Sequence, residues 1–179
     1  MTDVQPEVAG EPNELGDPGP AGGTAPGPGP APAPVSMATF RVVEVDEVSL
    51  DLPAQFPSVT LVESEPPMRQ LVFPVGLPEG TALAQALRRM RGRRPMTHEL
   101  FAQVLQQARI DVIAVRLVGR EEGNLLAELD LMTPGGRERV DCRPSDGIVL
   151  ALRMPVPAPV LVDERLLEDL GDVVPIAEG

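Results

Sequence analysis

Two short segments place chemically competent side chains at the starts of apolar runs. "RPMTHELF" begins at Arg94 and "RPSDGIVL" at Arg143. Each opens with Arg-Pro, continues with a hydroxyl residue at an expected helix N-terminus, and then supplies His98 and Glu99 or Asp146. The unpaired amide groups and positive dipole end of a helix start attract anions. Asp141, Asp146, Glu99 and Glu79 are enough oxygen donors on paper to hold Mg2+ or Mn2+, with Asp141, Asp146 and Glu79 the expected ligands. Such an ion activates water and stabilises the charge added at a phosphorus centre. His98 is the only histidine, and its ordinary pKa near neutrality suits a general base or acid. Arg143 and Ser145 are the side chains expected to meet a phosphate oxygen, with Arg91, Arg93 and Arg94 as further anion contacts.

Each of these residues also has a structural reading. Alternation along "RERVDCR" puts Arg137, Arg139, Asp141 and Arg143 on one strand face, where Asp141 finds arginine partners that lower its pKa and compete with a metal. Asp146, Glu99 and Glu79 fall in first turns, where carboxylates are common for dipole reasons alone. Thr97 and Ser145 suit helix caps. His98 fits a supporting role behind the reacting groups, and Cys142, on the apolar face of its strand, fits the core.

The elements that must position these residues are read from periodicity. "FRVVEVDEVSLDL" alternates in two phases, so a bulge or turn near Asp46-Glu47 must shift the register. "SVTLVES" and "RQLVFPV" follow as strands on either side of the Pro66-Pro67 turn. Pro78 starts a helix with Leu83, Leu87 and Met90 on one stripe, ending near Gly92. A second helix is expected from Thr97, burying Leu100, Phe101, Val104, Leu105 and Ala108. "DVIAVRLVG", "NLLAELDLM" and "RERVDC" are strands joined by tight turns, followed by a helix from Ser145, a strand at "PVLVD" and a helix capped by Asp163. The fold class expected is α+β: one domain of internally duplicated strand-strand-strand-helix units, with a mostly antiparallel sheet flanked by helices over residues 37–170.

Residues 1–36 hold nine Pro and seven Gly and read as a disordered acidic tail, and 171–179 as a flexible C-terminal tail. Residues 1–36 and 163–179 carry −5 each of the total −12, leaving the body near neutral at −2. Its positive charge is clustered: Arg88, Arg89, Arg91, Arg93 and Arg94 lie within seven residues, as a solvated helix end or as an anion-binding surface. The chain opens without a basic segment leading into an apolar one, and it holds no long apolar run, so a membrane partner is not expected. One cysteine without a partner agrees with a reducing, cytoplasmic setting.

"VDCRPSDGIVLALR" resembles the D-x-R-P-S-D-A-I-x-L-A-L-R signature of the bifunctional nuclease domain family. "RPMTHELFAQVL" is similar to that family's R-P-x-T-H-D/E-L-x-x-x-V-L segment, and "PVGLPEGTALAQAL" to its I-G-x-x-E-A-x-A-I-x-x-A-L segment. Gly80 and Gly147 stand where the family has alanines, and Cys142 occupies a small-residue position. The resemblance covers about residues 38–170 and implies an α+β domain, with cleavage of DNA and RNA in some members. It marks Glu79, His98, Glu99, Asp141, Arg143, Ser145 and Asp146. The reading reached is a nuclease-family domain acting by metal-assisted phosphodiester hydrolysis. Its rival is a non-catalytic regulatory or binding module that holds an anionic ligand or a protein partner. Nucleic acid and a further copy of the chain are the partners expected. The scarcity of aromatic residues, with no Trp, no Tyr and four Phe, favours the rival because bases have few surfaces to stack on.

Overall fold

A computed structural model describes residues 39–50 and 55–173. The N-terminal tail expected over residues 1–36 lies outside the described residues.

The chain first forms a three-stranded antiparallel meander, β1 (Phe40–Ser49), β2 (Ser58–Glu63) and β3 (Arg69–Pro74). The phase change in β1 is a bulge: Val45 pairs with Leu61 and Glu47 with Thr60, so Asp46 is the extra residue. One added residue returns the apolar positions of both half-strands to the same face. Helices α1 (Leu77–Leu87) and α2 (Thr97–Gln107) follow. Pro78 sits in the first turn of α1, whose buried face is Gly80, Leu83 and Ala86. The helix stops earlier than its apolar stripe suggests. Arg89 takes φ +51°, and Arg89 and Met90 donate back to Ala86 and Gln85, so Met90 leaves the helix and is exposed.

A second meander comprises β4 (Asp111–Glu121), β5 (Asn124–Thr133) and β6 (Gly136–Cys142). Glu122 and Gly123 join β4 to β5 with φ +49° and +88°, as a two-residue hairpin turn requires. Helix α3 (Pro144–Arg153), strand β7 (Val160–Asp163), helix α4 (Glu164–Leu170) and strand β8 (Asp172–Val173) complete the chain. Asp163 accepts from the Arg165 amide and caps α4 as expected. β8 pairs with β3, so the C-terminal tail expected from residue 171 begins with ordered chain, and residues 174–179 lie outside the described residues.

The strands form one sheet in the order β6-β5-β4-β7-β1-β2-β3-β8. Every pairing is antiparallel except β4 with β7. The α+β architecture, the predominantly antiparallel sheet and the repeated strand-strand-strand-helix order are as the sequence implies. Helix α3 is the most deeply buried helix, enclosing Ser145, Gly147 and the whole stretch from Ile148 to Ala151 against α1, α2, β4 and β5.

Helix α2 departs from expectation. Its core contacts come from Ala102 and Leu105, whereas Leu100, Phe101, Val104 and Ala108 are exposed. The apolar arc of α2 is wider than the face that α3 covers. Periodicity shows such an arc but not which edge of it meets the core.

At the far end of the first meander, a charged cluster is buried. The fully enclosed Glu63 accepts from Arg41 Nε at 2.8 Å, from Arg69 Nη2 at 2.9 Å and from the Arg69 amide at 2.8 Å, while Arg69 also reaches Glu164 at 2.6 Å. The Arg69 guanidinium holds the Glu63 carboxyl down from its ordinary 4.5 to about 2, against the opposing effect of burial. A carboxyl depressed in the folded state stabilises fully above its unfolded pKa and loses that contribution as pH falls through the folded value. Wild type should therefore lose stability between about pH 4.5 and pH 2 in acid titrations followed by circular dichroism. Glu63→Gln should lack that component and cost about 3–5 kcal/mol at pH 7 in urea denaturation, because two arginines lose their buried counter-charge.

Gly147 is fixed by crowding. A Cβ there would lie 2.9 Å from Val115 Cγ1 and 3.0 Å from Cys142 Sγ, so the cysteine fills the space of the missing methyl. Gly147→Ala should destabilise by about 1–3 kcal/mol despite the better helix propensity of alanine. Adding Cys142→Ala should recover part of that loss, measured as a coupling energy in a double-mutant cycle.

Candidate functional site

The Arg-Pro repeat does not translate into equivalent helix starts. Pro144 is the first residue of α3, whereas Pro95 lies two residues before α2, which begins at Thr97 after the N-cap Met96. Neither Thr97 nor Ser145 makes a capping hydrogen bond. Glu99 instead accepts from the Met96 amide at 3.1 Å, satisfying a donor at the start of α2.

The two helix starts nevertheless meet. His98 Nε2 lies 3.1 Å from Asp146 Oδ1. Arg143 Nε donates to Asp146 Oδ2 at 2.8 Å, and its Nη1 donates to Glu79 Oε1 at 3.0 Å. A chain of four side chains, His98–Asp146–Arg143–Glu79, thus ties together the first turns of α1, α2 and α3. Asp146 is occupied by side chains and does not cap its own helix. With the Asp146 carboxylate as acceptor, Nε2 of His98 carries the shared hydrogen, and Nδ1 is the ring nitrogen not engaged by Asp146. Asp146, and more weakly Glu79, raise the already high pKa of Arg143 and keep it charged. The side chains of His98, Asp146 and Glu79 are roughly three-quarters covered, whereas that of Arg143 is 68% exposed.

This chain borders a groove of about 600 Å3 whose apolar walls include Phe101, Leu105, Leu129, Leu131 and Val140. Phe101, expected in the core, is an exposed groove residue. Cys142 also borders it. Burial first, and then the charge of Asp146, push its thiol up to about 11, which removes it as a thiolate nucleophile at neutral pH.

The other expected site residues stand outside this contact chain. Asp141 pairs directly with Glu128 in the β5–β6 ladder, while Val140 pairs with Leu129. Asp141 borders the groove, but directly opposed residues share a sheet face, which puts its side chain on the side of Glu128 and Asp130. Two of its three expected arginine partners are taken: Arg137 holds the buried Asp130 at 2.7 Å and lowers its pKa, and Arg143 turns to Asp146 and Glu79. Asp141 makes no ion pair among the described residues. Glu99 Oε1 faces Arg153 Nη1 at 2.9 Å on the opposite side of α2 from the groove. Arg91 and Arg93 line the cavity on that side, whereas Arg94 lines neither it nor the groove. Ser145 is buried in a hollow shared with Glu79 and Arg143.

The expected ligand set does not fit Mg2+ or Mn2+ in this arrangement. Glu79 and Asp146 share one guanidinium, Asp141 lies on the other sheet face, and no group of three or more His, Cys, Asp or Glu side chains is gathered for a metal among the described residues. Sequence reasoning missed Arg153 as a site residue. Its position at the end of "IVLALR", at helical spacing from buried Val149, was the available signal.

Two uncharacterized proteins of Mycobacterium tuberculosis, one from each of two strains, are each 29% identical to this chain over 133 residues, covering 74% of it and 77% of their own length. The bifunctional nuclease domain matches residues 59–174, a span holding α1, α2, α3 and every member of the His98–Asp146–Arg143–Glu79 chain. The chain belongs to the bifunctional nuclease domain family.

Proposed function

We propose that this domain hydrolyses phosphodiester bonds of DNA or RNA in the groove beside His98. The observation that carries the reading is the Asp146–His98 contact at the mouth of a groove with a mostly solvent-facing arginine next to it. His98 Nδ1 takes a proton from the attacking water, Asp146 steadies the imidazolium through Nε2, and the imidazolium returns the proton to the leaving oxygen. The free edge of Arg143 contacts a non-bridging phosphate oxygen. Phe101 offers one aromatic face for a base. Mg2+ and Mn2+ enter as components to be titrated, with no step assigned to them.

A specific observation favours the rival reading, a non-catalytic module. Glu79 and Asp146 outnumber Arg143 within the contact chain, so a phosphate meets net negative charge there while His98 is neutral. Cleavage of short single-stranded DNA and RNA oligonucleotides, with Mg2+, with Mn2+ and with a chelator, decides between the two. Asp146→Asn and His98→Ala, purified alongside wild type by one procedure, should each lower the rate by about 10²–10⁴-fold while the melting temperature changes little. Equal cleavage by wild type and both variants would place the activity elsewhere, and absence of cleavage under every condition would leave the binding module as the function.

A further inference from the structure

The arginine cluster and the end of α3 enclose a second cavity, of about 440 Å3, on the side of α2 away from the groove. Its wall carries Arg89, Arg91, Arg93 and Arg153 against one acid, Glu99. Four arginines and one carboxylate in the lining of a half-enclosed space leave an excess of three positive charges. The arrangement is held in place. Arg89 adopts its left-handed conformation through backbone hydrogen bonds to the end of α1, turning the 89–93 loop over the cavity. Arg153, 90% buried, anchors the same loop by donating from Nη1 to the Met90 carbonyl at 2.6 Å.

The floor of the cavity is incompletely satisfied. Arg153 Nε and Glu99 Oε1 are both buried without a hydrogen-bond partner. The 2.9 Å approach of Arg153 Nη1 to Glu99 Oε1 brings opposite charges together without the alignment of a hydrogen bond. One group is a donor lacking an acceptor, and the other an acceptor lacking a donor. Buried polar groups are nearly always matched, so the mismatch leaves Arg153 with unused donor capacity beside the cavity that it lines. A phosphate in the cavity accepts from the arginines that line it. Guanidinium forks match phosphate oxygens two at a time, and the volume suits a small phosphorylated molecule or a phosphorylated chain end.

We propose that this cavity is a binding site for a terminal phosphate or pyrophosphate group, distinct from the groove beside His98. It takes in Arg89, Arg91 and Arg93 of the sequence cluster, leaves out Arg88 and Arg94, and adds Arg153. The site does not depend on the hydrolysis proposed above. It is linked to that region through one helical turn, since Glu99 follows His98 and also holds the Met96 amide at the start of α2.

Calorimetric titration of the full chain with inorganic pyrophosphate tests it. Wild type should bind in the micromolar to submillimolar range, and Arg91→Ala/Arg93→Ala should weaken binding at least tenfold. Both arginines are exposed, so the fold survives their loss. Arg153→Gln should weaken binding further in proportion to the protein that remains folded, measured by circular dichroism on the same sample. Asp146→Asn should bind as wild type does, which separates this cavity from the groove. Competition then identifies the source of the phosphate. A 5′-phosphorylated oligonucleotide that displaces pyrophosphate, where its 5′-hydroxyl counterpart does not, assigns the site to a nucleic-acid end; failure of both to compete assigns it to a free small phosphate. No binding by wild type at millimolar pyrophosphate, unchanged affinity in the double variant, or a loss confined to Asp146→Asn would each overturn the proposal.

Discussion

The architecture depends on four residues, Val160–Asp163, that arrive late in the chain and enter the middle of the sheet. Without β7, the meanders β1–β2–β3 and β4–β5–β6 each present an unpaired inner edge. β7 closes both, running antiparallel to β1 from Phe40 opposite Asp163 and parallel to β4 from Val115 opposite Val160. The pairing directions also make β6 parallel to β7, so β6–α3–β7 is a crossover connection that must carry α3 across β5 and β4. That path explains the burial of α3 and the small residues Gly147 and Ala151 along it. It also fixes the start of α3 just past the end of β6, where exposed amides and side chains converge in many strand-to-helix turns. Asp146 meets His98 because the last central strand has to be reached from the outermost one.

Much of this was legible in the residues. Alternation gives the strands, the bulge at Asp46 follows from an apolar phase change, and two matching Arg-Pro segments single out the helix starts that meet. The helix offset between those segments was not legible, because an Arg-Pro pair suits either the first helical turn or the loop before it. The facing of Asp141 was available from period-two alternation with Arg137 and Arg139, but which sheet face holds the groove depends on where α2 and α3 pack. Glu63 and Arg69 carried an unused signal. Glu63 shares the inward phase of Val59 and Leu61, and Arg69 that of Leu71 and Phe73, so both charges had to be buried and therefore paired.

Charge is handled in two ways in this fold. Around Glu63, every oxygen is matched by a donor and the cluster is closed, which suits a fastening between the first meander and α4. Around His98 the matching is partial: Arg143 is largely exposed and the imidazole keeps one nitrogen free of Asp146. Behind α2 the mismatch is sharper, with a buried donor and a buried acceptor both unmet. This gradient from closed to open polar networks separates the fastening at Glu63 from the two regions proposed to take ligands.

The His98–Asp146 contact also has a spectroscopic consequence. The chain holds one histidine and lacks Trp and Tyr, so once the N–H protons are exchanged for deuterium the imidazole carbon-bound protons share their region only with four phenylalanines. A single pair of lines therefore records the junction of α2 and α3, and Phe101, bordering the same groove, supplies a ring that can shift them. The domain carries its own one-site magnetic reporter, native to the chain and free of any attached label.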